Sequence, residues 1–390
     1  MFFGCCGCQG GNWYWLRKYT KTPGVFVVAE ADHPDPDSGT IPLTLIEKAS
    51  NLIVWTTRYV GTYPNGRYKY RWTRYTYNTS LDLVAQASVD VQSIVYNTEG
   101  ESEVFSTNGS WIAFVTEQTL YSPTSPPDAT IDVYDDTLTF RYQLSFLPTL
   151  DGGTMLQDFG FDSSNNLYVT TSARGFPGFI PATVKVWKYN TSGTQQWTST
   201  QSSSAISGFD RGTLRIASDD HVWIGRTSRI ERWSPAGTPA FIGTSSPTFA
   251  MYPDGSSGMW CLSGGSLSSA VTVRRLTSGA LADAFTPFLI QANVLTCVFP
   301  EGQSALWGTG PYVTYHGGGA IPQYPAAPLV KWNTTGNVAQ RWESAPTATR
   351  PLFWHNGQAF TPGQYGIRHR FGVLSGSDVY VTGYRTRSYP

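Results

Sequence analysis

The sequence has few cysteines, few charged residues and no long apolar run. Only 5 of its 390 residues are cysteine, and 14% are charged. An odd number of cysteines does not predict a disulfide framework. Because no stretch reaches the ~18 consecutive apolar residues that a bilayer requires, we expect no membrane-spanning helix. The first residues also lack the basic start and the apolar run of a secretory signal.

The charges balance, because 27 Lys and Arg face 27 Asp and Glu, and no block of one sign occurs. A nucleic-acid partner would need a strongly basic surface that follows the phosphates. We therefore expect no nucleic acid as a partner.

Aromatic residues, glycine and proline are abundant, with 14 Trp, 22 Tyr, 20 Phe, 39 Gly and 25 Pro. Aromatic side chains favour pleated, half-buried strands, whereas glycine and proline mark turns. The composition therefore predicts an all-β protein.

A sequence motif recurs along the chain. It consists of a polar turn, a short aromatic strand, a variable insert, a basic-aromatic strand and a second turn. One copy runs from Asn165 to Trp197. Four short strands in each unit, repeated every ~40–50 residues, are typical of propeller blades. The units are centred on Leu52, Ile112, Tyr168, Val222, Trp260, Leu306 and Tyr380.

The unit around Tyr380 ends with the chain, and its missing half matches residues 16–24. We therefore predict a seven-bladed β-propeller whose N- and C-terminal strands pair to close the last blade. Residues 1–14 form a cysteine-containing segment in this interpretation, and residues 15–390 form one propeller domain. The irregular spacing is also compatible with six or eight blades, and two stacked sheets are the alternative fold.

Residues 165–197 resemble the repeats of the quinoprotein-like propeller superfamily, and residues 377–384 resemble β-propeller repeats of bacterial surface proteins. The resemblance implies the fold. It implies no function, because such propellers serve as enzymes, receptors and scaffolds. The sequence lacks the residues with which the quinoprotein enzymes hold their cofactor and calcium.

The inserts between the second and third strands are long at residues 58–69, 117–129, 172–183 and 308–328. Loops on a rigid scaffold commonly carry binding residues, although these loops would also serve to cap the apolar blades. We expect residues 1–14 and 384–390 to form the corresponding connection of the split blade. The predicted binding residues are Tyr59, Tyr63, Tyr121, Phe176, Phe179, Tyr312, Tyr315, His316 and Tyr324.

Two short segments have side chains that bind metals. Cys5, Cys6 and Cys8 would supply thiolates for a zinc or iron–sulfur site, with a fourth ligand from elsewhere. Asp32, Asp35 and Asp37 would supply oxygen ligands for calcium. A flexible or lipid-modified end and a solvated turn are the simpler interpretations of these two segments.

No nucleophile motif, phosphate loop or paired-histidine motif occurs in the sequence. We therefore expect a non-catalytic structural or attachment module that binds a protein partner or a surface glycan through its insert-rich rim. Its Ser, Thr, Gly and aromatic content suits a virion component, such as a phage tail or fibre-associated protein, or an extracellular surface protein. The alternative is a polysaccharide hydrolase or lyase whose site lies at the channel mouth, which would need facing carboxylates.

Overall fold

The structure is a computed structural model. The structure describes residues 13–21, 27–32, 40–66, 68–93, 105–118, 129–146, 154–173, 183–202, 213–226, 228–244, 246–264, 270–279, 281–291, 297–309, 329–336, 338–342, 354–355, 358–359 and 365–387. These residues form strands and turns and contain no helix. Within them, no helix is therefore long and apolar enough to cross a membrane.

The strands are named in chain order. The N-terminal pair is β1 (Trp13–Thr20) and β2 (Val27–Asp32). Blade 1 contains β3 (Ile41–Lys48), β4 (Asn51–Thr62), β5 (Tyr68–Tyr77) and β6 (Leu83–Ser93). Blade 2 contains β7 (Phe105–Thr107), β8 (Trp111–Gln118), β9 (Ala129–Asp135) and β10 (Phe140–Phe146). Blade 3 contains β11 (Thr154–Phe161), β12 (Leu167–Ala173), β13 (Thr183–Tyr189) and β14 (Gln195–Ser202).

The second half of the chain continues this pattern. Blade 4 contains β15 (Thr213–Ile216), β16 (Val222–Gly225), β17 (Arg229–Trp233) and β18 (Pro239–Gly243). Blade 5 contains β19 (Thr248–Pro253), β20 (Met259–Ser263), β21 (Ala270–Leu276) and β22 (Phe288–Gln291). Blade 6 contains β23 (Cys297–Glu301), β24 (Ala305–Thr309), β25 (Leu329–Asn333) and β26 (Val338–Trp342). A small hairpin, β27 (Trp354–His355) and β28 (Gln358–Ala359), precedes β29 (Tyr365–Ser375) and β30 (Asp378–Arg387).

Blade 7 is built from both ends of the chain. Its strand order is β2-β1-β30-β29, and β1 pairs antiparallel with β30 from Trp13↔Arg385 to Thr20↔Asp378. The predicted all-β, seven-bladed propeller closed by its terminal strands is therefore confirmed. Residues 13–14 and 384–387 were predicted as part of a loop, but they lie in these paired strands because their aromatic and β-branched side chains favour extended backbone.

The packing divides the chain into two compact units, one with residues 61–69 and 90–292, the other with residues 3–60, 70–89 and 293–390. In the first unit, β7, β11, β15 and β19, the first strands of blades 2 to 5, pack side by side. In the second unit, β29 packs against both β23 and β3. Apolar side chains fill the spaces between neighbouring sheets, as in the cluster that joins Val169 and Leu167 to Leu144.

Five blades share a triad of an acid, an aromatic ring and a basic side chain. The aromatic residue of the second strand stands directly opposite the basic residue of the third strand. These pairs are Tyr168↔Lys188, Trp223↔Arg232, Trp260↔Arg275, Trp307↔Lys331 and Tyr380↔Lys18. The corresponding acids are Asp162, Asp219, Asp254, Glu301 and Asp378, whose carboxylates lie 2.6–3.9 Å from the basic nitrogens.

The triad explains why the third strand of each of these blades carries a basic residue in the repeated motif. All five rings are fully buried, while the cations stay partly exposed. The aliphatic stem of a Lys or Arg covers the ring, and the acid in the first turn pairs with the charged end. In four blades the cation lies over the ring itself. The distances are 5.1 Å for Lys188 and Tyr168, 5.3 Å for Lys331 and Trp307, 5.7 Å for Lys18 and Tyr380, and 5.8 Å for Arg232 and Trp223.

The turns between first and second strands are linked from blade to blade in the first unit. The Asn108 amide donates to the Asp162 carbonyl, and Ser163 donates to the Asp220 carboxylate. The Ser218 N–H donates to the Ser256 carbonyl. These bonds place the short turns of blades 2 to 5 on one rim, so the second strands of those blades end towards the opposite rim.

Candidate functional site

The hairpin of β4 and β5 in blade 1 differs from its counterparts. β4 spans 12 residues, whereas the second strands of blades 4, 5 and 6 span 4 to 5. The first strand, β3, pairs only as far as Ile41↔Thr57, so residues 58–62 of β4 continue beyond it. Residues 58–69 were predicted as a variable loop. They are instead mostly strand, closed by a turn in which the Gly66 N–H donates to the Tyr63 carbonyl.

The residues of this extension explain why it is a strand. Residues 58–71 contain four Tyr, three Arg and one Lys, with no Asp or Glu. Tyrosine favours a pleated surface, and Pro64-Asn65-Gly66 supplies the turn. This density of Tyr and Arg on a rigid hairpin is typical of residues that anchor binding interfaces.

The Tyr59 side chain is 53% exposed. Its ring meets Tyr70 edge-on, with 6.0 Å between centroids and 69° between planes. Because side chains alternate along a strand, buried Trp72 lies on the same face as Tyr70. A row of rings therefore leads from the core to solvent, while Arg58 and Arg71 lie on the opposite face of the same strands.

The remaining part of the hairpin belongs to the other compact unit. There, Lys69 forms an ion pair with Asp90 at 2.9 Å and lies 5.7 Å from the Tyr63 ring centroid. Tyr63 is half-buried. Two of the predicted binding residues therefore lie in this hairpin. Tyr59 is on β4 and contacts Tyr70, and Tyr63 is in the turn and contacts Lys69.

The other predicted site residues are not described by the structure. Tyr121, Phe176, Phe179, Tyr312, Tyr315, His316 and Tyr324 lie outside the described residues, as do Cys5, Cys6, Cys8, Asp35 and Asp37. Asp32 ends β2. Within the described part of the chain, no group of three or more His, Cys, Asp or Glu side chains comes together to hold a metal ion.

Two buried carboxylates in blades 3 and 4 are held by arginine. Asp158 accepts hydrogen bonds from the Leu214 N–H at 2.8 Å and from Arg215 at 3.0 Å. Burial raises the pKa of Asp158, against the opposing effect of Arg215. Carboxylates occupied in this way serve packing between blades.

The second carboxylate, Glu231, is fully buried. It accepts from Arg226 at 3.1 Å, from Arg229 Nε at 2.8 Å and from the Trp233 indole at 3.0 Å. Arg226, also buried, donates to Gln157 of blade 3 at 2.8 Å. With three donors on its two oxygens, Glu231 has little capacity left to act as a general acid or base.

A cavity of about 390 Å³ lies in the second unit, between blades 6 and 7, where Phe299, Glu301, Val373 and Leu374 line it with Lys21. Glu301 accepts hydrogen bonds from Lys331, Lys21 and Trp307. Burial opposes ionisation of this carboxyl, but the three donors outweigh it and lower its pKa to about 2. The cavity therefore presents an acid that is ionised at neutral pH and already bonded to three donors.

The fold and the site define a β-propeller with an extended first blade. No family model matches this sequence, and no curated protein matches it. The fold is similar to that of an apocarotenoid oxygenase from Synechocystis, with 9% identity, a TM-score of 0.41, and coverage of 73% of this chain and 71% of the oxygenase.

Two further structures are similar. The acylaminoacyl peptidase of Pyrococcus horikoshii has 11% identity and a TM-score of 0.44, with 88% of this chain covered but only 51% of the peptidase. The β-propeller domain of the Trilobed protease from Pyrococcus furiosus has 12% identity and a TM-score of 0.43, covering 88% of this chain and 90% of that domain. Likeness at this level concerns the fold alone.

Proposed function

We propose that this protein is a non-catalytic binding module, in which the propeller is a rigid support for a recognition surface on blade 1. The observation that carries the proposal is Tyr59, an exposed ring fixed by Tyr70 on β4, which is the longest of the described strands. A tyrosine held in this way gives a large contact area and loses little rotamer entropy on binding.

The partner is a protein or a surface glycan. Both classes use a flat aromatic ring with a hydroxyl at its edge, the first as an interface anchor and the second as a stacking platform for a sugar ring. Along β4, the neighbours of Tyr59 on its own face are Thr57 and Gly61, which are small and leave the ring accessible. The setting that we propose is a virion or an extracellular surface, as an attachment or structural component.

The test compares two alanine variants on an array of surface polysaccharides and on intact bacterial cells. Tyr59→Ala should weaken binding on the order of tenfold or more, the usual effect of removing an aromatic anchor. Phe140→Ala is the matched control, because Phe140 is 51% exposed and also meets a neighbour, Tyr134, edge-on at 5.4 Å.

Equal losses in the two variants would show that Tyr59 has no special part in recognition. Cleavage of a polysaccharide during the same assay would overturn the non-catalytic assignment. Co-sedimentation with purified virus particles would support the virion setting, and failure to co-sediment would contradict it.

A further inference from the structure

The cavity between blades 6 and 7 has the size of a small-molecule site. Its volume of about 390 Å³ falls within the ~300–1,000 Å³ that is usual for ligand pockets. It lies between the turn that follows β23 and the turn that follows β29, where Gly302 and Gly376 are both exposed. No side chain projects from these glycines to close the entrance. All the lining residues belong to the second compact unit.

The inner wall of the cavity is apolar. Phe299 is buried, and its ring lies so close to Gly372 that an added Cβ would be only 2.1 Å away. Val373 and Leu374, both partly buried, continue this wall. An aromatic ligand ring would bury apolar surface here and would gain an edge-on or offset contact with the Phe299 ring.

The polar side of the cavity carries one positive charge in excess. Lys21 and Lys331 both bind the Glu301 carboxylate, with N–O distances of 3.0 Å and 2.6 Å. On the adjoining strands of blade 7, Lys18 and Asp378 form a balanced pair at 3.0 Å. Two ammonium groups therefore share one carboxylate at this position, which favours an anionic ligand over a cationic one.

Lys21 is the cation that a ligand can reach. It lines the cavity with its side chain 26% exposed, whereas Lys331 lies over the Trp307 ring, 5.3 Å from its centroid. The Lys21 N–H donates to the Ser377 carbonyl at 2.9 Å, which fixes the start of this side chain at the cavity edge. An ammonium group has three donor hydrogens, so Lys21 can bind Glu301 and a ligand carboxylate together.

We propose that this cavity binds a small aromatic monocarboxylate, with its carboxylate on the Lys21 ammonium and its ring against Phe299. A single carboxylate matches the single excess charge. The volume of about 390 Å³ accommodates one or two rings, since a cavity of ~150 Å³ holds benzene. A ligand of ~10 non-hydrogen atoms should bind with a Kd of about 0.1–5 mM. The inference is independent of the proposed function, because the hairpin of Tyr59 contributes no residue to the cavity.

Fluorine NMR titrations of the full chain measure the affinity for three probes. Para-fluorophenylacetate should bind with the Kd given above. Para-fluorophenethylamine has the same ring and the opposite charge, and fluoroacetate has the same charge and no ring. Each of these two should bind at least about tenfold more weakly. An amine that binds as well as the aromatic carboxylate would overturn the proposal, as would a para-fluorophenylacetate titration that shows no saturation below about 20 mM.

Two variants locate the site. Lys21→Gln should weaken para-fluorophenylacetate binding by about tenfold, because the charge-assisted bond is lost. Leu374→Trp should abolish binding, because the larger side chain fills the cavity. Lys185→Gln is the matched control, since it removes a partly buried lysine from blade 3, in the first compact unit, and should leave the affinity unchanged.

Urea unfolding midpoints show that each variant is folded. A folded Lys21 or Leu374 variant that binds like the wild type would place the probe elsewhere and overturn the proposal. If Leu374→Trp does not fold, Lys21→Gln and the three probes decide the outcome.

Discussion

The Trp307 indole nitrogen donates to Oε2 of Glu301 at 3.0 Å, so a fully buried ring is tied to the acid of the turn that precedes it. Glu301 also receives Lys331 from its own blade and Lys21 from blade 7. This acid therefore completes the triad of blade 6 and joins that blade to the one that closes the ring.

The first prediction concerns acid stability. The folded-state pKa of Glu301 is about 2, below the ordinary value of 4.5. Its contribution is therefore complete above pH ~4.5 and is lost as the pH falls towards 2. Glu301→Gln should lower the free energy of unfolding by about 1–2 kcal/mol at pH 7, and by much less at pH 2.5. Urea titrations at the two pH values measure this, and an equal loss at both would contradict it.

The second prediction concerns the buried Glu231 network. Glu231→Gln leaves Arg226 buried, only 1% exposed, without its counter-charge. Breaking a buried pair on one side should cost about 3–5 kcal/mol. Chemical denaturation compares this variant with Glu47→Gln, a surface change on blade 1 with an expected effect within about 0.5 kcal/mol. A Glu231 variant as stable as the control would show that the network contributes little.

The third prediction concerns the close approach of blades 6 and 7. A Cβ on Gly372 would lie 2.1 Å from the Phe299 ring, which is itself buried. Gly372→Ala should therefore destabilise the protein by about 1–3 kcal/mol through overpacking. Gly243→Ala is the control, because a Cβ there meets nothing within 4 Å. Melting temperatures of the two variants should differ by several degrees, in favour of the control.

The fourth prediction is a stabilising change in the turn between β3 and β4. Ala49 and Ser50 both have positive φ, at 51° and 62°. Asn-Gly is the preferred pair at two such positions. Ala49 and Ser50 are sterically strained in this conformation. The double change Ala49→Asn and Ser50→Gly should raise the free energy of unfolding by about 1 kcal/mol. An unchanged denaturation midpoint would show that the turn relaxes without strain.

Several turns are held by bonds between near neighbours in the sequence. Asn78, Asn190 and Asn333 each accept a hydrogen bond from the N–H two residues later. A local side-chain bond of this kind depends only on the neighbouring residues, so the pattern predicts it.

The hairpin of blade 1 was not predicted as strand. Its length and Tyr content indicated a binding surface, but Pro64 and Gly66 suggested an irregular loop. The contact between Tyr59 and Tyr70 depends on the register of two strands, which the composition of the segment does not determine. The exposure of Tyr59 likewise depends on where β3 stops pairing.

The sequence by itself determined the all-β class and the pairing of the chain ends, because each blade repeats the same local pattern of turn and aromatic strand. Only the tertiary structure decided that the blades number seven, that the acid, ring and cation of a blade meet, and that Arg226 reaches Glu231 and Gln157. The physical reason is the separation in sequence between the residues that interact. Turns and strand alternation follow from neighbouring residues, whereas ion pairs between blades depend on strands far apart in the chain.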